Sequence, residues 1–177
     1  MTVSPEIIER CLSNDPRGQE AFYKAYSAKM FGLCLRYCHN YSEAQDILQE
    51  GFIKIFRSLG TLKNPEAVDS WVRTVIINTA LNHYEKHIRQ MEKEALLNDD
   101  MTDATIPADA LSKLSHGELL RIIQGLPAGY RTIFNMHVID GYEHKEIAEM
   151  LGISVGTSKS QLNRAKKSVQ KILNRIL

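Results

Sequence analysis

Very little in this sequence points to chemistry. Among its 177 residues there are three cysteines, Cys11, Cys34 and Cys38. So odd and sparse a set predicts reduced thiols rather than a disulfide framework. Cys34 and Cys38 lie one helical turn apart, as do His83 and His87. Neither pair has the further ligands that a closed metal site needs, so the cysteines read as core thiols and no metal is expected. There is no glycine-rich phosphate loop, no nucleophile elbow and no metal-ligand cluster, which predicts that the chain is not an enzyme and carries no cofactor. No apolar run approaches the roughly 18 residues of a membrane span. The N-terminal MTVSPEIIER has no basic segment followed by an apolar one, so neither export nor membrane insertion is expected and the predicted location is the cytoplasm.

What is present is helical periodicity and an uneven charge distribution. The hydrophobic fraction of 44% supports real cores, and the formal net charge is only +1. That sum conceals two opposed segments. Lys159, Arg164, Lys166, Lys167, Lys171 and Arg175 run to the end without an acid, while Glu92, Glu94, Asp99, Asp100, Asp103 and Asp109 crowd the middle.

Helix signals follow one another along the chain. Ser4-Pro5 and Asp15-Pro16 read as N-caps with proline in the first turn. Ser42-Glu-Ala-Gln45 reads as a capping box for a helix over 43–59, with Gly60 ending it. Asn64-Pro65 opens a helix running toward Arg89. Residues 97–110 are polar and poor in large apolar side chains, and read as a linker. Helical periodicity then resumes. The expected fold is all-α, with two small helical domains at 1–92 and 114–177 joined by a flexible acidic linker at 93–113.

The C-terminal segment carries the sharpest local signal. A short helix places Ile147, Ala148 and Leu151 on one face. Gly152 supplies the positive φ that leaves the helix, Ile153 plugs the turn, and Ser154 caps the next helix. This is the sequence form of a helix-turn-helix. In its second helix Leu162, Ala165, Val169, Leu173 and Ile176 form the expected buried stripe. Thr157, Lys159, Ser160, Gln161, Asn163, Arg164 and Lys167 are expected mostly off it and against DNA. Lys159, Arg164 and Lys167 suit phosphate contact, and Gln161 and Asn163 suit base edges. Ser158 interrupts the stripe, and a bond back to a carbonyl one turn earlier is expected for it.

Taken in order, these segments resemble the extracytoplasmic-function sigma factors of bacterial RNA polymerase. Gly125-Leu-Pro127, Tyr142-Glu-His-Lys-Glu-Ile-Ala-Glu-Met-Leu-Gly-Ile-Ser154 and Gly156-Thr-Ser-Lys-Ser-Gln-Leu-Asn-Arg-Ala165 resemble sigma region 4. Phe22-Tyr-Lys-Ala-Tyr26, Ser42-Glu-Ala-Gln-Asp-Ile-Leu-Gln-Glu50 and Ser70-Trp-Val-Arg-Thr-Val-Ile-Ile-Asn-Thr-Ala-Leu-Asn82 resemble region 2.

The resemblance implies a role for each segment. Asp46, Gln49, Glu50, Phe52, Ile53 and Phe56 match the surface for the clamp helices of the polymerase β′ subunit, although Phe52 and Phe56 fit a core position equally well. Lys63, Asn64, Asn78, Asn82, Tyr84, Lys86, His87 and Arg89 fall on or near the −10 reader and the loop that captures a flipped base. Asn64 reads equally as a helix cap, and Trp71 reads more readily as core than as a stacking platform. Thr157 to Lys167 match the −35 reader. The implied partners are core RNA polymerase, through β′ and β, promoter DNA, and an anti-sigma factor. A free-standing helix-turn-helix regulator with a helical sensory or dimerisation domain is the alternative. The sequence departs from the family at Ile77, Asn82, Ser158, Gln161 and Asn163, where the family often has arginine, an acid, an apolar residue, arginine and histidine.

Overall fold

A computed structural model describes residues 3–83 and 115–176. The chain divides into two compact units, Met1–His83 and Tyr84–Leu177. The described residues are helical throughout their regular structure. The domain boundary at 92, the acidic linker and residues 84–114 lie outside them.

The first unit contains α1 (Pro5–Leu12), α2 (Pro16–Tyr37), α3 (Tyr41–Ser58) and α4 (Val68–His83). Proline occupies the first turn of α1 and α2, where its missing N–H costs nothing. Ser4 makes no side-chain cap bond. Asp15 does cap α2, accepting from the Arg17 amide at 2.9 Å and from Arg10 Nε at 2.7 Å. The cap of α3 falls two residues before the expected one. Asn40 accepts from the Glu43 amide at 2.9 Å, and Glu43 reaches back to the His39 amide at 3.2 Å. The helix is therefore capped by Asn40, with Glu43 bonded to the preceding amide, rather than by Ser42 and Gln45, because Tyr41 already has helical backbone. Gly60 does not stop α3 alone; a 3-10 turn, Leu59–Thr61, follows the helix. Another, Pro65–Ala67, leads into α4.

α3 packs on both α2 and α4, and α2 also meets α4. Phe22, Cys34, Ile47, Ile55, Val72, Ile76 and Ile77 are fully enclosed. Each such large side chain contributes about 1.5–3 kcal/mol of burial. Gly51 leaves room for the Ile76 side chain of α4 against α3. A Cβ there would meet Ile76 Cδ1 at 2.4 Å. The three cysteines are free and buried. Burial pushes the Cys34 thiol up to about 12.

The second unit contains α5 (His116–Gln124), α6 (Ala128–Phe134), a π turn (Asn135–Ile139), α7 (His144–Leu151) and α8 (Val155–Ile176). Ser115 and Glu118 form a capping box at the start of α5. The buried Arg131 closes the other end of α5, donating from Nη1 to the Gln124 carbonyl at 3.0 Å and the Leu126 carbonyl at 3.4 Å. α8 is the axis of the unit and contacts α5, α6 and α7.

Candidate protein and nucleic-acid interfaces

α3 has a buried face and an exposed one. Ala44, Ile47, Gly51 and Ile55 point into the core, while Asp46, Gln49, Glu50 and Ile53 point to solvent. Ile53 is 46% exposed. The acidic pair is not left to self-repulsion, because Lys54 Nζ meets Glu50 Oε1 at 2.7 Å one turn on. In so exposed a place that ion pair is worth only a few tenths of a kcal/mol, about 0.3–0.5.

Beside this face lies a groove of about 840 Å³ between α2 and α3. Tyr23, Ser27 and Phe31 line one side, and Tyr41, Gln49, Phe52, Ile53 and Phe56 the other. Its rings interlock. The Tyr23 and Phe52 centroids are 4.6 Å apart, Phe31 and Tyr41 4.8 Å, and Phe52 and Phe56 6.0 Å. Phe52 is buried and Phe56 half-buried, with Phe56 also edge-on to Phe22 at 5.8 Å. The core reading of these two residues holds, and the same rings also back the groove. Tyr23, Phe31 and Tyr41 were missing from the sequence-derived surface. The spacing of residues 23, 27 and 31, one turn each, was the available signal.

On α4, Asn78 and Asn82 are exposed and one turn apart, continuing a polar line through Ser70 and Thr74. Asn64 is a cap in fact, accepting from the Glu66 amide at 3.0 Å, and remains exposed beside Lys63. Trp71 is half-buried. Tyr84, Lys86, His87 and Arg89 lie outside the described residues.

In the second unit the expected turn is present. Gly152 adopts φ 64° and ψ 34°. The Ile153 amide returns to the Ala148 carbonyl at 3.0 Å, and the Ile153 side chain is enclosed. Ser154 Oγ accepts from the Thr157 amide at 2.9 Å. Lys159 is exposed, and Ser160, Arg164 and Lys167 are half-buried. Thr157, Gln161 and Asn163 differ from the expectation: they are 8%, 0% and 9% exposed. A helix packed against three neighbours buries a wider arc than the single stripe of Leu162, Ala165, Val169 and Leu173.

Ser158 also differs. Its hydroxyl does not return to a carbonyl of its own helix but meets His144 Nδ1 at 2.8 Å, across from α8 to α7. The His144 ring stacks on His137, with centroids 4.3 Å apart and planes 15° apart. His137 Nδ1 lies 2.8 Å from the Tyr142 carbonyl. A carbonyl oxygen only accepts, so that nitrogen carries the hydrogen. Burial, then His137, Lys159 and Lys166, hold the His144 imidazole below its ordinary range. This cluster had no local sequence signal, since its members are spread over 22 positions of the chain.

Among the described residues no group of three His, Cys, Asp or Glu side chains is placed to hold a metal ion. No described helix is long and apolar enough to cross a membrane.

Residues 22–90 match the family model for sigma-70 region 2, and residues 116–169 that for sigma-70 region 4. The RNA polymerase sigma-H factor of Pseudomonas aeruginosa is 29% identical, over 97% of this chain and 94% of its own length. The extracytoplasmic-function sigma factor SigW of Bacillus subtilis is 29% identical over 84% of each chain. The sigma-E factor of Escherichia coli is 26% identical over 92% of this chain and 90% of its own. In fold, the chain is similar to the sigma factor RpoE solved with the anti-sigma factor NepR from Bartonella quintana. That likeness has a TM-score of 0.55 and 16% identity, over 88% of this chain and 96% of that one.

Proposed function

Because this chain belongs to the sigma-70 family, as an extracytoplasmic-function RNA polymerase sigma factor and not an enzyme, we propose that α3 is its grip on core polymerase. The observation that carries this is the exposed row Asp46, Gln49, Glu50 and Ile53 beside the aromatic groove. Carboxylates and amides flanking an exposed aliphatic side chain suit a basic coiled coil such as the β′ clamp helices. The acids steer the encounter, and Ile53 with Tyr23 and Tyr41 supplies the apolar anchor.

The two DNA grips follow. Lys63, Asn64, Asn78 and Asn82, continued by Tyr84, Lys86, His87 and Arg89, take the −10 element. Extruding a base costs a few kcal/mol, which the pocket must return through stacking and edge hydrogen bonds. Lys159, Ser160, Arg164 and Lys167 take the −35 element, largely through phosphates. Thr157, Gln161 and Asn163 are enclosed in the free chain, so they shape that surface more than they present it. The β subunit is the expected support for this unit, and the cytoplasm is where both partners are met. A second protein covering the α3 groove would hold the factor inactive, as an anti-sigma factor does. The similar RpoE was solved in complex with the anti-sigma factor NepR.

Promoter-dependent run-off transcription tests the reading. Core polymerase with this chain is expected to start discrete transcripts from genomic promoters. Absence of any specific start, with core polymerase active on a control factor, overturns it.

A further inference from the structure

The polar cluster inside the helix-turn-helix is absorbed by none of these roles. Ser158 is fully enclosed, at a position where the helix stripe calls for an apolar side chain. Its amide is bonded to the Ser154 carbonyl at 3.0 Å, and its hydroxyl meets His144 Nδ1 at 2.8 Å. This bond joins the first turn of α7 to the first turn of α8, the turn that precedes Lys159. His137, held by the Tyr142 carbonyl, lies flat on the His144 ring and fixes its plane.

We propose that His144 is a positioning residue, tying the first turns of α7 and α8 together through Ser158, and that its protonation loosens the tie and weakens the grip on promoter DNA. This rests on the reading of the second unit as the −35 holder.

The chemistry is local. The tie requires the neutral His144 tautomer with its hydrogen on Nε2, in which Nδ1 accepts the Ser158 hydroxyl hydrogen. Protonated, the same nitrogen becomes a donor, so the enclosed hydroxyl must turn and its own hydrogen loses its acceptor. The new charge also lies flat against a second imidazole. The titratable groups acting on His144 are His137 from the π turn and Lys159 and Lys166 from α8, all of them basic. Their effect and that of burial run the same way, against the imidazolium. The direction of the coupling is therefore fixed. The tie is intact above the ordinary histidine value of 6.5, and it is lost as pH falls through the lower value of the folded chain. DNA phosphates would partly offset the added charge, so the loss is moderate.

Two measurements decide it. The first is an imidazole NMR titration of the free full-length chain. His144 is expected to titrate below 6.5, and Ser158→Ala is expected to move its midpoint upward, because the neutral form loses its donor. A midpoint at or above 6.5, or one unmoved by Ser158→Ala, overturns the proposal. The second uses the reconstituted holoenzyme and a promoter duplex selected by it from a random library at pH 7.5. His144→Gln keeps a hydrogen-bonding group but cannot titrate. From pH 7.5 to 5.5 the native chain is expected to lose about fivefold more affinity than His144→Gln. Parallel losses overturn the proposal. Should no duplex be selected at pH 7.5, it is the promoter reading that fails, and the titration still decides the role of His144.

Discussion

Tyr26 of α2 donates its phenolic hydrogen bond to the carboxylate of Asp69, in the first turn of α4, across 43 residues of sequence. The Tyr26 ring is enclosed and tilted against Phe22 at 4.8 Å. This bond pins the start of α4, and with it the turn bearing Lys63 and Asn64. Tyr26→Phe keeps the ring and removes the bond. It is expected to cost about 1.5–3 kcal/mol, the usual range for a hydrogen bond to a charged group, measured by denaturant unfolding. Burial, and then Asp69, push the phenol well above its ordinary value. The folded chain thus keeps a proton that the unfolded chain releases above about pH 10. Stability of the native chain should fall as pH rises past that point, and Tyr26→Phe should flatten the fall.

Asp46→Arg together with Glu50→Arg is expected to abolish capture of core polymerase in a pull-down while leaving the helical circular dichroism and melting temperature near native. Both side chains are exposed, and substitutions of that kind usually change stability by about 0.5 kcal/mol or less. Retained capture would reject α3 as the polymerase surface.

Gly51→Ala places a methyl 2.4 Å from Ile76 Cδ1 and is expected to destabilise the first unit by about 1–3 kcal/mol, as overpacked cores are. Ile76→Val removes the very carbon that collides. The double variant should therefore lose less than the sum of the two single ones, a coupling that a double-mutant cycle in urea measures directly.

Lys159→Ala is expected to weaken holoenzyme binding about equally on different promoter sequences. It should also reduce the slope of log affinity against log salt by about 0.9, the contribution of one phosphate contact. A sequence-dependent loss with an unchanged slope would instead assign Lys159 to a base edge.

Local signals were legible where local physics decides. Gly152, Ser154 and Ile153 each stand where the sequence put them, because a turn with positive φ and a helix cap are fixed by neighbours in the chain. Asp46, Glu50 and Ile53 came out on the exposed side of α3 for the same reason, helical periodicity being a short-range property. The α3 cap was misplaced because Asn40 and Ser42 are both good capping residues, and only the start of helical backbone at Tyr41 chooses between them. Gln161 and Asn163 were placed outside because a single stripe was counted, whereas α8 has three packing neighbours. Tertiary pairs such as Tyr26 with Asp69, or Ser158 with His144, leave no periodic trace at all.

The rings that floor the groove between α2 and α3 are the same rings that close the core behind it. A lineage of such proteins therefore has two kinds of freedom on one helix. On the proposed reading of α3, changes at the exposed Asp46, Gln49 and Ile53 retune which partner is accepted while folding is left alone. On the same reading a change at Phe52 alters partner and stability at once, because its ring packs on both Tyr23 and Phe56. Divergence of partner choice should accumulate on the rim and be rare on the floor.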